Sequence, residues 1–220
     1  MNKIIKGLLI INIIVFIISF AISFVILFRP FYYYHIDYLN LEKETGYTYN
    51  EIKEAYDDVI DYTTLNKPFK TGSFKYSSDG YKHFRDCKIL FYINFILLGI
   101  SSIVLFLKKL KFNDIKIKGY NISFYSSISI ILLFITIILS YLILGFKRCF
   151  NLFHKIFFLG KDNWILDPDT DPIIDILPNE YFLDCAILVI SIILMISIGI
   201  MIREIIIKRK EKKVWKRKSM

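Results

Sequence analysis

Four stretches of the chain carry no charged residue. They cover residues 7–28, 89–107, 119–146 and 185–202, which is 22, 19, 28 and 18 residues. A helix needs about 20 mainly apolar residues to cross the hydrocarbon of a bilayer. Each stretch is therefore read as a membrane span, with spans at about 7–28, 88–107, 120–146 and 183–203. The segments between them, 29–87 and 147–182, alternate polar and aromatic residues. Within the first, Ile52, Ala55, Tyr56, Val59 and Ile60 recur at helical spacing, and Lys53, Glu54, Asp57, Asp58 and Asp61 fill the opposite face. Thr48 and Glu51 form a capping-box signature ahead of them. This helix is expected to lie on the bilayer surface or on other loop elements. Residues 67–78, with Lys67-Pro68 and Thr71-Gly72-Ser73 around short aromatic runs, predict a small hairpin. Residues 31–34 and Tyr38 read as an interfacial aromatic belt. The expected architecture is an all-α membrane protein: a single integral membrane domain over 1–220, with four transmembrane helices and a small extracellular cap built from both outer loops.

Composition agrees with that pattern. Hydrophobic residues make up 55% of the 220, and mean hydropathy is +0.48. With the apolar residues gathered into four runs, a soluble enzyme, a disordered chain and a disulfide-stapled module are excluded. The first run exceeds the signal-peptide core of about 7–15 residues, and no small-x-small site precedes Arg29-Pro30. It is expected to remain as a span.

The net charge of +9 is unevenly placed. The N-terminal flank carries +2, residues 108–118 carry +4, and residues 203–220 carry +7. The two long loops carry −1 and −3. Lysine and arginine collect on the cytoplasmic side of membrane helices. Both termini are thus expected in the cytoplasm, with both long loops facing outward. The basic tail reads as an anchor touching anionic lipid rather than as a nucleic-acid site.

Chemistry concentrates in the loops. Near the end of the first, His83 and Asp86 stand three apart, placing an imidazole beside a carboxylate if span two begins near Tyr81. In the second, His154 sits among Phe150, Phe153, Phe157 and Phe158 on a short amphipathic segment. Asn163-Trp164 and Asp167-Pro168-Asp169-Thr170-Asp171-Pro172 follow. Three carboxylates at period two invite a calcium reading, but the glycine and terminal glutamate of an EF-hand are missing. A structural turn is the better reading. Pro178 is expected inside the first turn of span four. Cys87, Cys149 and Cys185 sit at membrane edges and read as small hydrophobic residues, although His83 lies four residues before Cys87.

These motifs resemble a bacterial family. The stretch from Phe153-His154 through Asn163-Trp164 and Asp167-Pro168-Asp169-Thr170-Asp171-Pro172 to Pro178-Asn179-Glu180-Tyr181-Phe182 is similar to the signature of the four-span lipoprotein intramolecular transacylases. His83-Phe84-Arg85-Asp86-Cys87 resembles their other motif. The resemblance covers the whole chain. It implies a diacylated lipoprotein substrate, whose N-terminal cysteine carries an S-linked diacylglyceryl group and a free α-amine. The sn-2 acyl chain moves to that amine, giving the lyso form. It also implies that His83 and His154 are catalytic. No metal, nucleotide or other cofactor is expected, because the sequence has no phosphate-binding glycine motif and the donor ester resides in the substrate, and the charge map leaves no nucleic-acid partner expected.

The residues fit such a reaction. Aminolysis of an ester needs a proton acceptor at the amine and a donor at the departing oxygen, and histidine serves either role near neutral pH. His154 is favoured as the base, because an aromatic setting keeps it neutral. His83, with Arg85 and Asp86 near it, would polarise the ester or protonate the leaving oxygen. Phe153, Phe157, Phe158 and Trp164 would shape a confined lipid-facing site, or anchor the loop at the interface. Arg85, Asn163 and Trp164 are candidate oxyanion donors, and Asp167 and Asp171 are supporting residues. Two rival readings stay open: a non-enzymatic membrane accessory protein, and a metal-dependent lipid hydrolase using His83, His154 and aspartates.

Overall fold

The structure is a computed structural model that describes residues 3–111, 115–117 and 119–218. Asp114 and Lys118 of the charge map lie outside the described residues, as do the side chains of Lys109, Lys111, Lys216, Arg217 and Lys218. The elements are α1 Lys3–Leu27, α2 Arg29–Tyr38, α3 Leu41–Thr45, α4 Tyr49–Leu65, α5 Ser78–Lys111, β1 Lys116–Ile117, β2 Tyr120–Asn121, α6 Ile122–Leu144, α7 Phe146–Phe157, a single 3-10 turn Pro172–Ile174, and α8 Asn179–Lys218.

Helices α1, α5, α6 and α8 are long and apolar enough to cross a membrane. Much of their surface is uncovered: Leu142 and Ile143 are 70% and 79% exposed. Apolar surface of this extent is untenable in water and is a lipid face. Two of the helices outrun the spans expected of them. α8 continues into the basic tail. α5 starts at Ser78, and its first turns hold Asp79, Lys82, Arg85, Asp86 and Lys88. Five charges in eleven residues do not sit in hydrocarbon, so the membrane-spanning part of α5 is the uncharged run from Ile89.

The chain divides into two compact units. The first comprises Met1–Ala21, Ile96–Leu139 and Val189–Met220. Its core joins Ile13, Ile17 and Ala21 of α1, Ile122, Ile130 and Phe134 of α6, and Ile193 of α8. Ser126 Oγ donates to the Ile10 and Ile122 carbonyls, binding α6 to α1. The strands β1 and β2 form an antiparallel pair that the all-α expectation missed. Gly119, at φ +81°, turns between them. The pair is two residues long on each side, too short to show a period-two pattern. Lys208 Nζ lies 3.4 Å above the Tyr120 ring, and Lys116 pairs with Glu211 at 2.7 Å. Part of the basic tail is therefore held by this hairpin.

The second unit comprises Ile22–Phe95 and Ser140–Leu188. The capping box forms as expected: Thr48 Oγ1 accepts from the Glu51 amide and Glu51 Oε2 from the Thr48 amide. Ile52, Ala55, Tyr56 and Val59 of α4 pack on Tyr32, Ile36, Leu41, Phe74, Ile173, Ile176 and Tyr181. The helix thus lies on other loop elements. Arg29 binds Asp57 and Asp61 on the polar side of α4, and Lys53 and Lys67 complete this network.

Several expectations need correction. Residues 31–34 form part of helix α2, and Tyr32 is fully buried instead of belonging to a belt. Its ring stacks on Tyr56 at 3.7 Å, and its hydroxyl donates to the Ile176 carbonyl at 2.7 Å. Tyr34 and Tyr38 remain exposed. Residues 67–78 form no hairpin among the described residues, only an isolated bridge between Thr71 and Ser73. Gly72 donates its amide to Asp58 of α4, so this segment binds a helix in place of a partner strand. Pro178 stands one position before α8, where its carbonyl accepts from the Tyr181 amide.

His35 also belongs to this core, at 2% exposure. Its Nδ1 faces the Phe31 carbonyl at 2.7 Å and its Nε2 faces Asp184 Oδ2 at 3.0 Å. His35→Ala removes both contacts and leaves Asp184 without its partner. A loss of about 1–3 kcal/mol is expected for such a truncation. Thermal unfolding in detergent checks it, and an unchanged midpoint would show that the pair contributes nothing to the fold.

Candidate active site

The N-terminus of α5 positions His83. The Ser77 hydroxyl accepts the Gly80 amide at 2.9 Å and caps the helix. Asp171 Oδ1 accepts the Ser77 amide at 2.8 Å, fastening that start to the second loop. Gly80 is required here, because a Cβ at this position would collide with the Asp171 carboxylate. His154 comes from α7, an amphipathic helix that follows the break at Gly145. Among the described residues it is the buried side chain of that helix.

The two imidazoles meet. Their ring centroids are 6.0 Å apart at 30°. Phe158, 4% exposed, touches both, at 5.1 Å from His83 and 5.5 Å from His154. Trp164 lies 4.7 Å from His154, and Phe150 lies 4.2 Å from it. Phe153 and Phe157 face each other at 4.6 Å and are about half exposed.

A hydrogen bond assigns the tautomer of His154. His154 Nδ1 lies 2.8 Å from the Phe150 carbonyl, which only accepts, so Nδ1 carries the proton. The neutral ring then presents a lone pair at Nε2. His83 Nε2 lies 3.6 Å from Cys87 Sγ. Burial pushes the Cys87 thiol up, so it stays protonated, and its sulfur can donate weakly to Nε2 or accept from it. His83 Nδ1 is buried without a partner among the described residues.

Both rings stay neutral. Burial lowers His154 from its ordinary value, and the bond to the Phe150 carbonyl opposes this only in part. Burial, then the neighbouring His154, bring His83 down to about 4 against a weaker opposing pull from Asp86. Between about pH 4 and the ordinary imidazole value near 6.5, the unfolded chain takes up a proton that folded His83 refuses. Stability should thus fall as pH is lowered through that window. Activity should show no acid limb near 6.5 belonging to the enzyme. A pH profile of kcat checks this, and a limb at 6.5 would mean that burial does not hold the rings neutral.

The expected pairing of His83 with Asp86 does not form. Asp86, 6% exposed, binds Lys161 Nζ at 2.8 Å and Asn163 Nδ2 at 3.0 Å. Burial raises this carboxyl, but those two bonds and the charges of Lys161 and Arg85 outweigh it, and the group lies below the usual carboxylate range. A cleft of about 410 Å³ opens here, lined among others by Lys82, Arg85, Asp86, Lys161 and Asn163. Trp164 is removed from the oxyanion candidates, since its Nε1–H donates to the Lys161 carbonyl. Asp167 is a turn residue: its carboxylate accepts the Asp169 amide and its carbonyl accepts from Thr170 and Asp171. Asp171, 1% exposed, supports the start of α5. Lys161 and the Phe150 carbonyl were missed as partners, and Cys87 was weighed beside His83 but read as a small hydrophobic residue. The i, i+4 spacings of Phe150 to His154 and His83 to Cys87 signalled the last two; nothing in the pattern signalled Lys161.

Comparison with known proteins identifies a family and similar solved structures. Over residues 7–182 the chain matches the family described as lipoprotein intramolecular transacylase Lit. It is similar to a solved structure of the membrane-integral lipoprotein intramolecular transacylase Lit from Bacillus cereus, at 28% identity and a TM-score of 0.77. That match covers 96% of this chain and 97% of the other. A histidine-to-alanine variant of the same enzyme matches at 27% identity and 0.73, over 96% and 95%. A histidine-to-arginine variant matches at 28% and 0.70, over 99% and 94%. No curated protein sequence matches the chain.

Proposed function

Because the chain belongs to the lipoprotein intramolecular transacylase family, we propose that His154 and His83 are its proton acceptor and its hydrogen-bond donor. The protein is an integral membrane acyltransferase. It moves the sn-2 acyl chain of a diacylglyceryl-cysteine lipoprotein to the N-terminal amine and yields the lyso form. The observation that supports the site is the meeting of the two rings, one presenting a lone pair at Nε2 and the other a buried Nδ1 with no partner among the described residues.

The amine nitrogen, in its neutral form, attacks the sn-2 carbonyl carbon. His154 Nε2 takes a proton from the nitrogen as the C–N bond forms. The C–O bond to glycerol then breaks, and the same proton passes to the departing oxygen. His83, held near 4, is not a charged acid at neutral pH. It serves as a neutral donor whose Nδ1–H binds the oxygen that gains charge. Attack closes a ring of eight atoms, through amine nitrogen, Cα, Cβ, sulfur, two glycerol carbons, ester oxygen and carbonyl carbon. A medium ring of this kind forms poorly in solution, and fixing its geometry can supply at best roughly 7–11 kcal/mol. Mass spectrometry of lipoproteins from cells with and without the chain tests the activity. Lyso-form product is expected only with it, and unchanged acylation would refute the assignment.

The site faces the outer surface, both termini are cytoplasmic and the acyl chains remain in membrane lipid. The charge asymmetry supports this orientation. A cysteine at the exposed position Lys75, in a background lacking Cys87, Cys149 and Cys185, should react with a membrane-impermeant thiol reagent added to whole cells. Protection there, with labelling only after the cells are opened, would reverse the topology.

A further inference from the structure

Asn163 carries an unmet requirement. Asp86 is ionised and only accepts, so the Asn163 amide must turn its Nδ2 toward it, as the 3.0 Å contact shows. Lys161 holds the same carboxylate from its other oxygen. The amide is therefore fixed in one orientation, which leaves Oδ1 pointing away. Oδ1 is buried and has no hydrogen-bond partner among the described residues. A buried amide oxygen left this way is unfavourable unless some state of the protein supplies a donor. Its neighbour in the chain is Trp164, whose ring lies against His154, and its anchor Asp86 is one helical turn from His83.

The substrate brings a matching donor. A neutral primary amine has one lone pair and two N–H groups. During attack the lone pair faces the ester carbonyl, and one N–H faces the base. The second N–H has no assigned acceptor in the two-histidine scheme. The geometry points to Asn163 Oδ1 as the acceptor of that second N–H, orienting the substrate's α-amine between His154 and the sn-2 carbonyl. This rests on the assignment of His154 as the base. Asp86 and Lys161 are positioning residues that act through the amide. No proton moves at Asn163; the proton lost from nitrogen goes to His154 and then to the glycerol oxygen.

The test compares two synthetic lipopeptides carrying an N-terminal S-diacylglyceryl cysteine, one with a free primary amine and one with an N-methylamine. The methylated nitrogen keeps the N–H that the base needs and loses the other. Wild-type enzyme is expected to prefer the primary amine in kcat by about ten- to a hundredfold, as for loss of one directed hydrogen bond in a preorganised site. In Asn163→Ala that preference should shrink to a few-fold at most, and likewise in Asn163→Ser, whose hydroxyl does not reach as far. The quantity read is a ratio between two substrates on one preparation, so a partly misfolded variant gives the same answer as a fully folded one. Equal turnover of both substrates by wild type, or an undiminished preference in the variants, overturns the proposal. A His154→Ala variant with full activity on the primary amine overturns the base assignment instead, and so separates the two failures.

Discussion

Alanine at His154 is expected to lower lyso-form production by about 10²–10⁴-fold, the range that a positioned general base supplies. Alanine at His83 should cost about 10²–10³-fold, as for removal of a donor aimed at developing negative charge. The double variant should be little worse than the poorer single one, because residues that act on one transition state do not contribute additively. Yield is read by mass spectrometry per unit of folded enzyme. His35→Ala is the comparison: it loses stability, for the reasons given by its buried contacts, but its turnover per folded molecule should stay near wild type. Near-normal turnover from either His83→Ala or His154→Ala would remove that residue from the reaction.

Gly80→Ala is expected to cripple the enzyme without touching either imidazole. The new methyl would collide with Asp171 Oδ1 and lie 3.0 Å from its Cγ. Asp171 is itself fixed, by the Ser77 amide and by Thr170 Oγ1. Either the start of α5 shifts or Asp171 gives up the Ser77 amide, and both move the turn that carries His83. A displacement of about 1 Å in a positioned group can cost about 100-fold in rate. The variant should show that loss in kcat together with a lower unfolding midpoint. An unchanged rate would mean that the start of α5 is not what places His83.

The membrane architecture was legible because it rests on composition alone: four uncharged runs have one physical reading. The α4 helix was legible for a similar reason, since its cap and its apolar face are local patterns. The aromatic residues before it were not. Tyr32 and Tyr34 are the same residue type two positions apart, and only tertiary packing separates a stacked core ring from an exposed one. At the site, the two histidines stood out through their motifs, and their meeting required the fold. The carboxylate of Asp86 was assigned to His83 because three residues on a helix are neighbours. A lysine and an asparagine from a distant loop compete for it, and that loop has no periodic signal to read. Gly80 was equally silent, since the need for glycine there comes from Asp171, 91 positions later in the chain.

In the proposed mechanism the aromatic residues around the imidazoles bear on what becomes of the acyl group. A base beside an activated ester can also serve water, and water attack would release a free fatty acid. Phe158 is almost wholly buried, Trp164 covers His154, and the polar atoms His83 Nδ1 and Asn163 Oδ1 are shielded from solvent. With those atoms shielded, the tethered amine is the favoured nucleophile in the proposed mechanism. Each turnover therefore leaves the lipoprotein with as many acyl chains as it had before, rearranged within one molecule and still embedded in the bilayer.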